Sequence, residues 1–234
     1  MKAPDFVEHP ALTPLLPHME SYTRKGLAEL RAGGNKFEAS TIEIYAAGVL
    51  EKVGELDNAV ASIRMAMNFI LDLGSAADTT SNVYRYHYEN YILRSIGISD
   101  RAHRLVGTSL RLDPRKYESV ESIKYVQEHV EHDYPEIFAA LTAVSNTVRP
   151  NKSLRNELIH STAFSNRKLG LFSAIEAIGL DVQSDIDAKK LMRDYFSEGG
   201  AQVAVTLSDI ITSIRVLLES LAKTYETAHS ATAA

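Results

Sequence analysis

The sequence predicts an all-α protein, a bundle of long antiparallel helices. Three features carry that expectation. The 234 residues include 12 glycines and 7 prolines, together about 8% against roughly 12% in average usage. Four prolines crowd the first 17 residues, and afterwards only Pro114, Pro135 and Pro150 interrupt the chain. A proline costs about 3 kcal/mol inside a helix, so long helices can run in the stretches between them. Apolar residues recur in steps of three or four, and no segment alternates with the period of two that a half-buried strand needs.

The elements follow in order. Residues 1–34 read as an irregular arm and one helix, with Thr13 as its cap, Pro14 at its first position and Gly33-Gly34 as its stop. Ser40-Thr41-Ile42-Glu43 has the spacing of a capping box. The stripe Ile42, Tyr45, Val49, Val53, Leu56, Val60, Ile63, Met67, Ile70 then predicts one helix to about Leu73, roughly 50 Å long at 1.5 Å per residue. Gly48, Gly54 and Asp57 weaken this stripe without breaking its period. A second long helix runs from about Thr80 to Leu110. Its apolar face is Tyr84, Tyr88, Ile92, Ser95, Ile98, Ala102, Leu105 and Ser109, and its opposite face carries His87, Asn90, Arg94, Gly97, Arg101 and Arg104. Two shorter helices are expected near 118–131 and 134–148, the second capped at Asp133. After Arg149-Pro150 come a short helix from Ser153 to about Thr162 and an apolar segment from Leu169 to Ile178 ended by Gly179. A helix capped by Ser184 is expected to stop before Gly199-Gly200, and the last helix carries Val203, Leu207, Ile210, Ile214, Leu217, Leu221 and Tyr225. Residues 227–234 are expected to form a mobile tail.

Composition narrows the function. Hydrophobic residues at 45% and charged residues at 24% are ordinary for a globular chain. The absence of cysteine excludes disulfides, thiol nucleophiles and cysteine-ligated zinc, and it fits a reducing cytoplasm. No apolar run approaches the roughly 18 residues of a membrane span, and the N-terminus lacks a secretion signal, so no membrane partner is expected. Net charge is −5, so RNA would have to be met by a local basic surface. The charges do segregate: residues 149–168 and 85–116 each carry a net +4, while residues 118–136 carry −5.

The informative stretch is Ser153-Leu154-Arg155-Asn156-Glu157-Leu158-Ile159-His160. An arginine and a histidine suit RNA cleavage that uses the RNA's own 2′-hydroxyl as nucleophile. Histidine titrates near neutral pH and can move the protons. Arginine stays charged and forks onto two phosphate oxygens. Asn156 lies four residues before His160 and is placed to hold one imidazole nitrogen. Five residues of helix turn through about 500°, so Arg155 and His160 sit roughly 140° apart. Either Arg155 occupies a frayed helix start, or a second chain closes the pocket; both can hold, and a symmetric dimer with two facing copies is the natural solution.

An arginine followed by a polar residue and, after a short gap, a histidine, late in an all-helical chain, resembles the HEPN superfamily (higher eukaryote and prokaryote nucleotide-binding domain). The likeness is close over Arg155–His160 and looser over the helical layout from residue 37 onward. Tyr91-Ile92-Leu93-Arg94 and Asp100-Arg101 add a weaker likeness to stand-alone bacterial branches. The resemblance implies a HEPN-like helical domain over 35–226, a homodimer, and metal-independent endoribonuclease activity at the dimer cleft with no cofactor. It makes Arg155, Asn156 and His160 the catalytic set and implies a toxin–antitoxin, abortive-infection or antiviral role. An antitoxin or other regulatory protein is then a further partner. Arg94, Arg101, Arg104, Arg149 and Lys152 are the candidate RNA-binding residues. The alternative is a non-catalytic HEPN-like module that binds RNA, a nucleotide or a protein. Two departures stand: Thr162 replaces a tyrosine that one toxin class carries two residues after the histidine, and no fused ligand-sensing domain is expected from these residues.

Tyr84, Tyr86, Tyr88 and Tyr91 either stack bases or pack, and their helical spacing favours packing. His129, His132 and Asp133 have metal-like spacing, but a solvated acidic helix explains them better. Arg94 and Asp100 either support the pocket or serve structure. Ser161 and Thr162 lack an elbow glycine or oxyanion site, and neither a P-loop nor a G-x-G-x-x-G is present.

Overall fold

Every regular element among the described residues is helical, so the all-α expectation holds. The computed structural model describes residues 6–76, 80–160, 167–178 and 187–231, with Glu157 and His160 described in their backbone alone. After two 3-10 turns, Phe6–Glu8 and Pro10–Leu15, come α1 (Leu16–Arg31), α2 (Thr41–Ser75) and α3 (Ser81–Ser109). Then follow α4 (Pro114–Tyr117), α5 (Ser122–Val130), α6 (Pro135–Val148), α7 (Asn151–His160), α8 (Arg167–Ile178) and α9 (Ala188–Ser230). The chain divides into two compact units: Met1–Asn58 with Ile98–Asn146 and Ile211–Ala234, and Ala59–Gly97 with Thr147–Ile210.

In the first unit, Leu12, Leu15, Val49, Val53, Leu56, Ala102, Leu105, Val126, Leu141, Ile214, Leu217 and Leu221 are buried. The capping box at the start of α2 forms as its spacing predicts. Ser40 N–H donates to Glu43 Oε2 at 2.7 Å, and Glu43 N–H donates to Ser40 Oγ at 3.3 Å. Glu43 is buried and also fastens α1, accepting from Ser21 Oγ at 2.6 Å and Lys25 Nζ at 2.8 Å. Those donors hold its carboxyl down at about 2, with Lys25 the largest cause. Asp57, a polar break in the α2 stripe, accepts from Phe6 N–H at 2.8 Å and so pins the N-terminal arm. Polar Ser109 on the α3 stripe is matched in the same way: its Oγ lies 2.9 Å from Tyr225 Oη, while Tyr45 Oη donates to its carbonyl at 2.9 Å.

The second unit is built around Val60, Ile63, Ile70, Tyr84, Ile92, Leu169, Phe196, Val203 and Leu207, all buried. Here Gly199-Gly200 does not stop a helix: α9 runs straight through it. A Cβ on Gly199 would lie 2.1 Å from Tyr84 Oη, and one on Gly200 would lie 2.6 Å from Leu71 Cδ2. The pair serves close helix approach, which overrides its weak helix propensity.

Other boundaries differ from expectation for local reasons. Pro10 and Pro14 hold residues 10–15 in a 3-10 turn, so α1 begins at Leu16 with Pro17 in its first turn, rather than at a Thr13 cap. Gly33, at φ 81°, ends α1 as expected. Asp113 caps the unforeseen α4 by accepting from Arg115 N–H, which confines the next helix to Ser122–Val130. Residues 227–230 continue α9 instead of opening a tail, and His229 Nδ1 lies 2.9 Å from His18 Nε2. Gly179 and Ser184 lie outside the described residues. One helix does reach membrane-spanning length and apolarity: α9 has an 18-residue stretch of mean hydropathy 1.5, 39% buried. Its buried stripe from Val203 to Tyr225 is that of a core helix.

Candidate active site

Helix α7 begins at Asn151, directly after Pro150 and two residues earlier than the sequence suggests. Asn151 is buried, and its side-chain amide donates to Tyr91 Oη and to Ser95 Oγ, each at 2.9 Å. Ser95 Oγ in turn donates to the Ile92 carbonyl at 2.9 Å. The start of α7 is therefore fixed to the middle of α3. With Asn151 turned inward, Leu154 and Leu158 are half-buried, while Lys152, Arg155, Asn156 and Ile159 are exposed. This is the alternation a helix lying on a core surface should show.

Arg155 Nη1 donates to Asn156 Oδ1 at 3.1 Å, the one hydrogen bond of this guanidinium among the described residues. A planar guanidinium carries five N–H donors and can grip an anion with two of them. Asn156 was expected to orient His160. Its carbonyl oxygen accepts from Arg155; the side chain of His160 lies outside the described residues, as do Ser161 and Thr162. Along the described backbone, Arg155 is the fifth residue of α7, not part of a frayed start, and His160 is the last described residue of that helix. Helical geometry accordingly keeps the two positions roughly 140° apart.

The candidate RNA-binding residues divide between the two units. Arg94, Arg149 and Lys152 belong with Arg155 in the second unit, and all four are exposed. Arg94 sits in the turn of α3 between Tyr91 and Ser95, the two residues that hold Asn151, so the α7 anchor brings one basic turn of α3 beside another at residues 149–155. Arg101 and Arg104 lie in the first unit and are half-buried. Arg104 Nε is 3.1 Å from Asp100 Oδ2, close enough for an ion pair but too poorly aligned for a hydrogen bond. Asp100 Oδ1 also accepts from Ser122 Oγ at 3.0 Å, so Asp100 serves the packing of α3 against α5.

The tyrosines mostly pack. Tyr84 is buried and stacks with Phe196 at 4.4 Å and with Tyr88 at 5.5 Å between centroids. Burial pushes the Tyr88 hydroxyl up to about 12 and that of Tyr84 further. Tyr91 is buried and serves Asn151, whereas Tyr86 is exposed. His129 donates from Nδ1 to the Tyr125 carbonyl at 2.8 Å, and among the described residues no three acidic or histidine side chains converge on a metal position.

The Asn151 anchor escaped the sequence reading, although a signal for it existed. Ser95 stands on an otherwise apolar stripe, and a buried hydroxyl requires a partner. Over residues 35–233 the chain matches the Cthe2314-like HEPN family. No curated protein and no solved structure matches the chain significantly. The all-helical fold and a match covering most of the chain place this protein in the Cthe2314-like HEPN family.

Proposed function

We propose that the protein is a metal-independent endoribonuclease whose site is completed in a homodimer. The observation that carries this reading is the exposed Arg155–Asn156 pair on α7, five and four residues ahead of His160, in a chain of a family whose domains are often ribonucleases. In the proposed reaction the RNA 2′-oxygen attacks the adjacent phosphorus as its proton is removed. The bond from phosphorus to the 5′-oxygen breaks, and that oxygen takes up a proton. A 2′,3′-cyclic phosphate and a 5′-hydroxyl result.

His160 exchanges these protons, since imidazole changes charge near neutral pH. Arg155 places two N–H groups on the phosphoryl oxygens, where negative charge accumulates in the transition state. Asn156 is a positioning residue: it steadies the guanidinium, and it lies one helical turn before the imidazole. Because Arg155 and His160 are far apart around α7, two copies facing across a cleft supply both groups to one phosphate. Arg94, Arg149 and Lys152 hold the flanking backbone. The cellular role in this reading is a toxin or an antiviral or abortive-infection effector, restrained by an antitoxin or other regulatory protein.

The test is RNA cleavage in excess chelator by wild type, Arg155→Ala and His160→Ala. Cutting by wild type alone, leaving 2′,3′-cyclic phosphate ends, is the expected result. Equal cutting by His160→Ala contradicts the proposal, and RNA binding without cutting by folded wild-type dimer replaces it with the non-catalytic binding module.

A further inference from the structure

Two helices of the first unit end on the same pair of hydrogen bonds but with different residues at the turn. At the end of α1, Gly33 N–H bonds to the Leu30 carbonyl and Gly34 N–H to the Glu29 carbonyl. After α3, Arg111 N–H bonds to the Thr108 carbonyl and Leu112 N–H to the Gly107 carbonyl. The turn residue is left-handed in both, Gly33 at φ 81° and Arg111 at φ 53°. Glycine adopts that conformation freely, whereas an arginine is strained there, so its backbone gives no reason for its presence.

What Arg111 contributes is its side chain. The guanidinium carbon lies 4.5 Å from the centre of the Tyr45 ring, and that ring is itself fixed by the bond from its hydroxyl to the Ser109 carbonyl. Both residues line a cavity of about 670 Å³ in the first unit. That volume is within the range of small-molecule sites, roughly 300–1,000 Å³. Lys223 on α9 supplies a second cation, and Asp133 and Glu136, at the turn into α6 and in its first turn, supply two carboxylates. Among the described residues, neither cation is ion-paired with either carboxylate. Tyr134 and Ile137 give the lining an apolar part.

We propose that this cavity binds a small zwitterion, an organic molecule bearing a carboxylate or phosphate and an amine on an apolar body. Arg111 and Lys223 take the anionic group, Asp133 and Glu136 take the ammonium, and the apolar lining takes the body. The proposal is independent of the nuclease reading, whose residues belong to the other unit.

The chain contains no tryptophan, so an indole probe excited to the red of tyrosine absorption can be followed without tryptophan emission from the protein. The full-length protein is titrated with tryptophan, tryptamine and indole-3-propionate, which carry both charges, the ammonium alone and the carboxylate alone. Wild type should bind tryptophan about tenfold tighter than either singly charged probe. Arg111→Gly keeps the left-handed turn and should reduce tryptophan to the level of tryptamine. Glu136→Gln should reduce it to the level of indole-3-propionate. Thr224→Phe fills the cavity from α9 and should abolish binding of all three. Equal binding of the three probes, no binding of any by folded wild type, or affinities unmoved by Arg111→Gly and Thr224→Phe would overturn the proposal.

Discussion

The side-chain amide of Asn151 donates to the Tyr91 hydroxyl at 2.9 Å, which ties the first residue of α7 to the middle of α3. Arg155 lies one helical turn further along, so the placement of the candidate catalytic arginine depends on a buried polar contact as well as on its own bond to Asn156. Removing Asn151 leaves the buried hydroxyls of Tyr91 and Ser95 without their donor, a loss of about 1–3 kcal/mol. Asn151→Ala should therefore lower the urea midpoint clearly. Tyr91→Phe, which deletes a single bond, should cost only about 0.5–1.5 kcal/mol. Equal midpoints for Asn151→Ala and wild type would show that the anchor does not hold α7.

A second prediction separates the two roles a glycine can play in a helix. Nothing lies within 4 Å of a Cβ built on Gly54, so Gly54→Ala should stabilise the protein by up to about 1 kcal/mol through helix propensity alone. Gly199→Ala gains the same propensity but drives its methyl group into Tyr84 Oη, 2.1 Å away. Overpacking of that kind costs about 1–3 kcal/mol, so the net effect should be destabilising. Thermal melts of the two variants, run side by side, decide the matter by their opposite signs.

These examples show how far the fold was legible from the residues. The capping box of α2 could be read because Ser40 and Glu43 lie within one turn and need no tertiary partner to specify it. The continuity of α9 could not: Gly199-Gly200 looks like a break until Tyr84 and Leu71, more than a hundred residues away, are seen pressed against it. The site divides the same way. The spacing of Arg155, Asn156 and His160 is local and visible in the chain. The Asn151 anchor is not, because an asparagine after Pro150 reads as loop until Tyr91 and Ser95 are found beside it. Ser95, Ser109 and Asp57 interrupt apolar stripes, and each proves to have a buried or partly buried partner.

Glu43 yields a pH prediction. Its carboxyl is held at about 2, against an ordinary value of 4.5, by Lys25, Ser21 and Ser40. A lowered acid favours the folded state while it is charged. Its contribution is complete above pH 4.5 and is lost as pH falls from there towards 2. Glu43→Gln should be less stable than wild type at neutral pH, and the gap between their urea midpoints should close across that window. A gap that stays constant between pH 5 and pH 2.5 would mean that Glu43 acts through packing and not through its charge.

The central claim is that Arg155 and His160 of different chains act on one phosphate, and the most direct measurement is complementation between two inactive variants. Arg155→Ala and His160→Ala are purified separately, mixed under conditions that exchange protomers, and assayed for RNA cleavage in excess chelator. A mixed dimer holds one site with both residues intact, so statistical exchange should restore about a quarter of wild-type activity. Each variant alone should remain silent. Wild-type cleavage with no recovery in the mixture, or cleavage by either variant alone, would contradict the account.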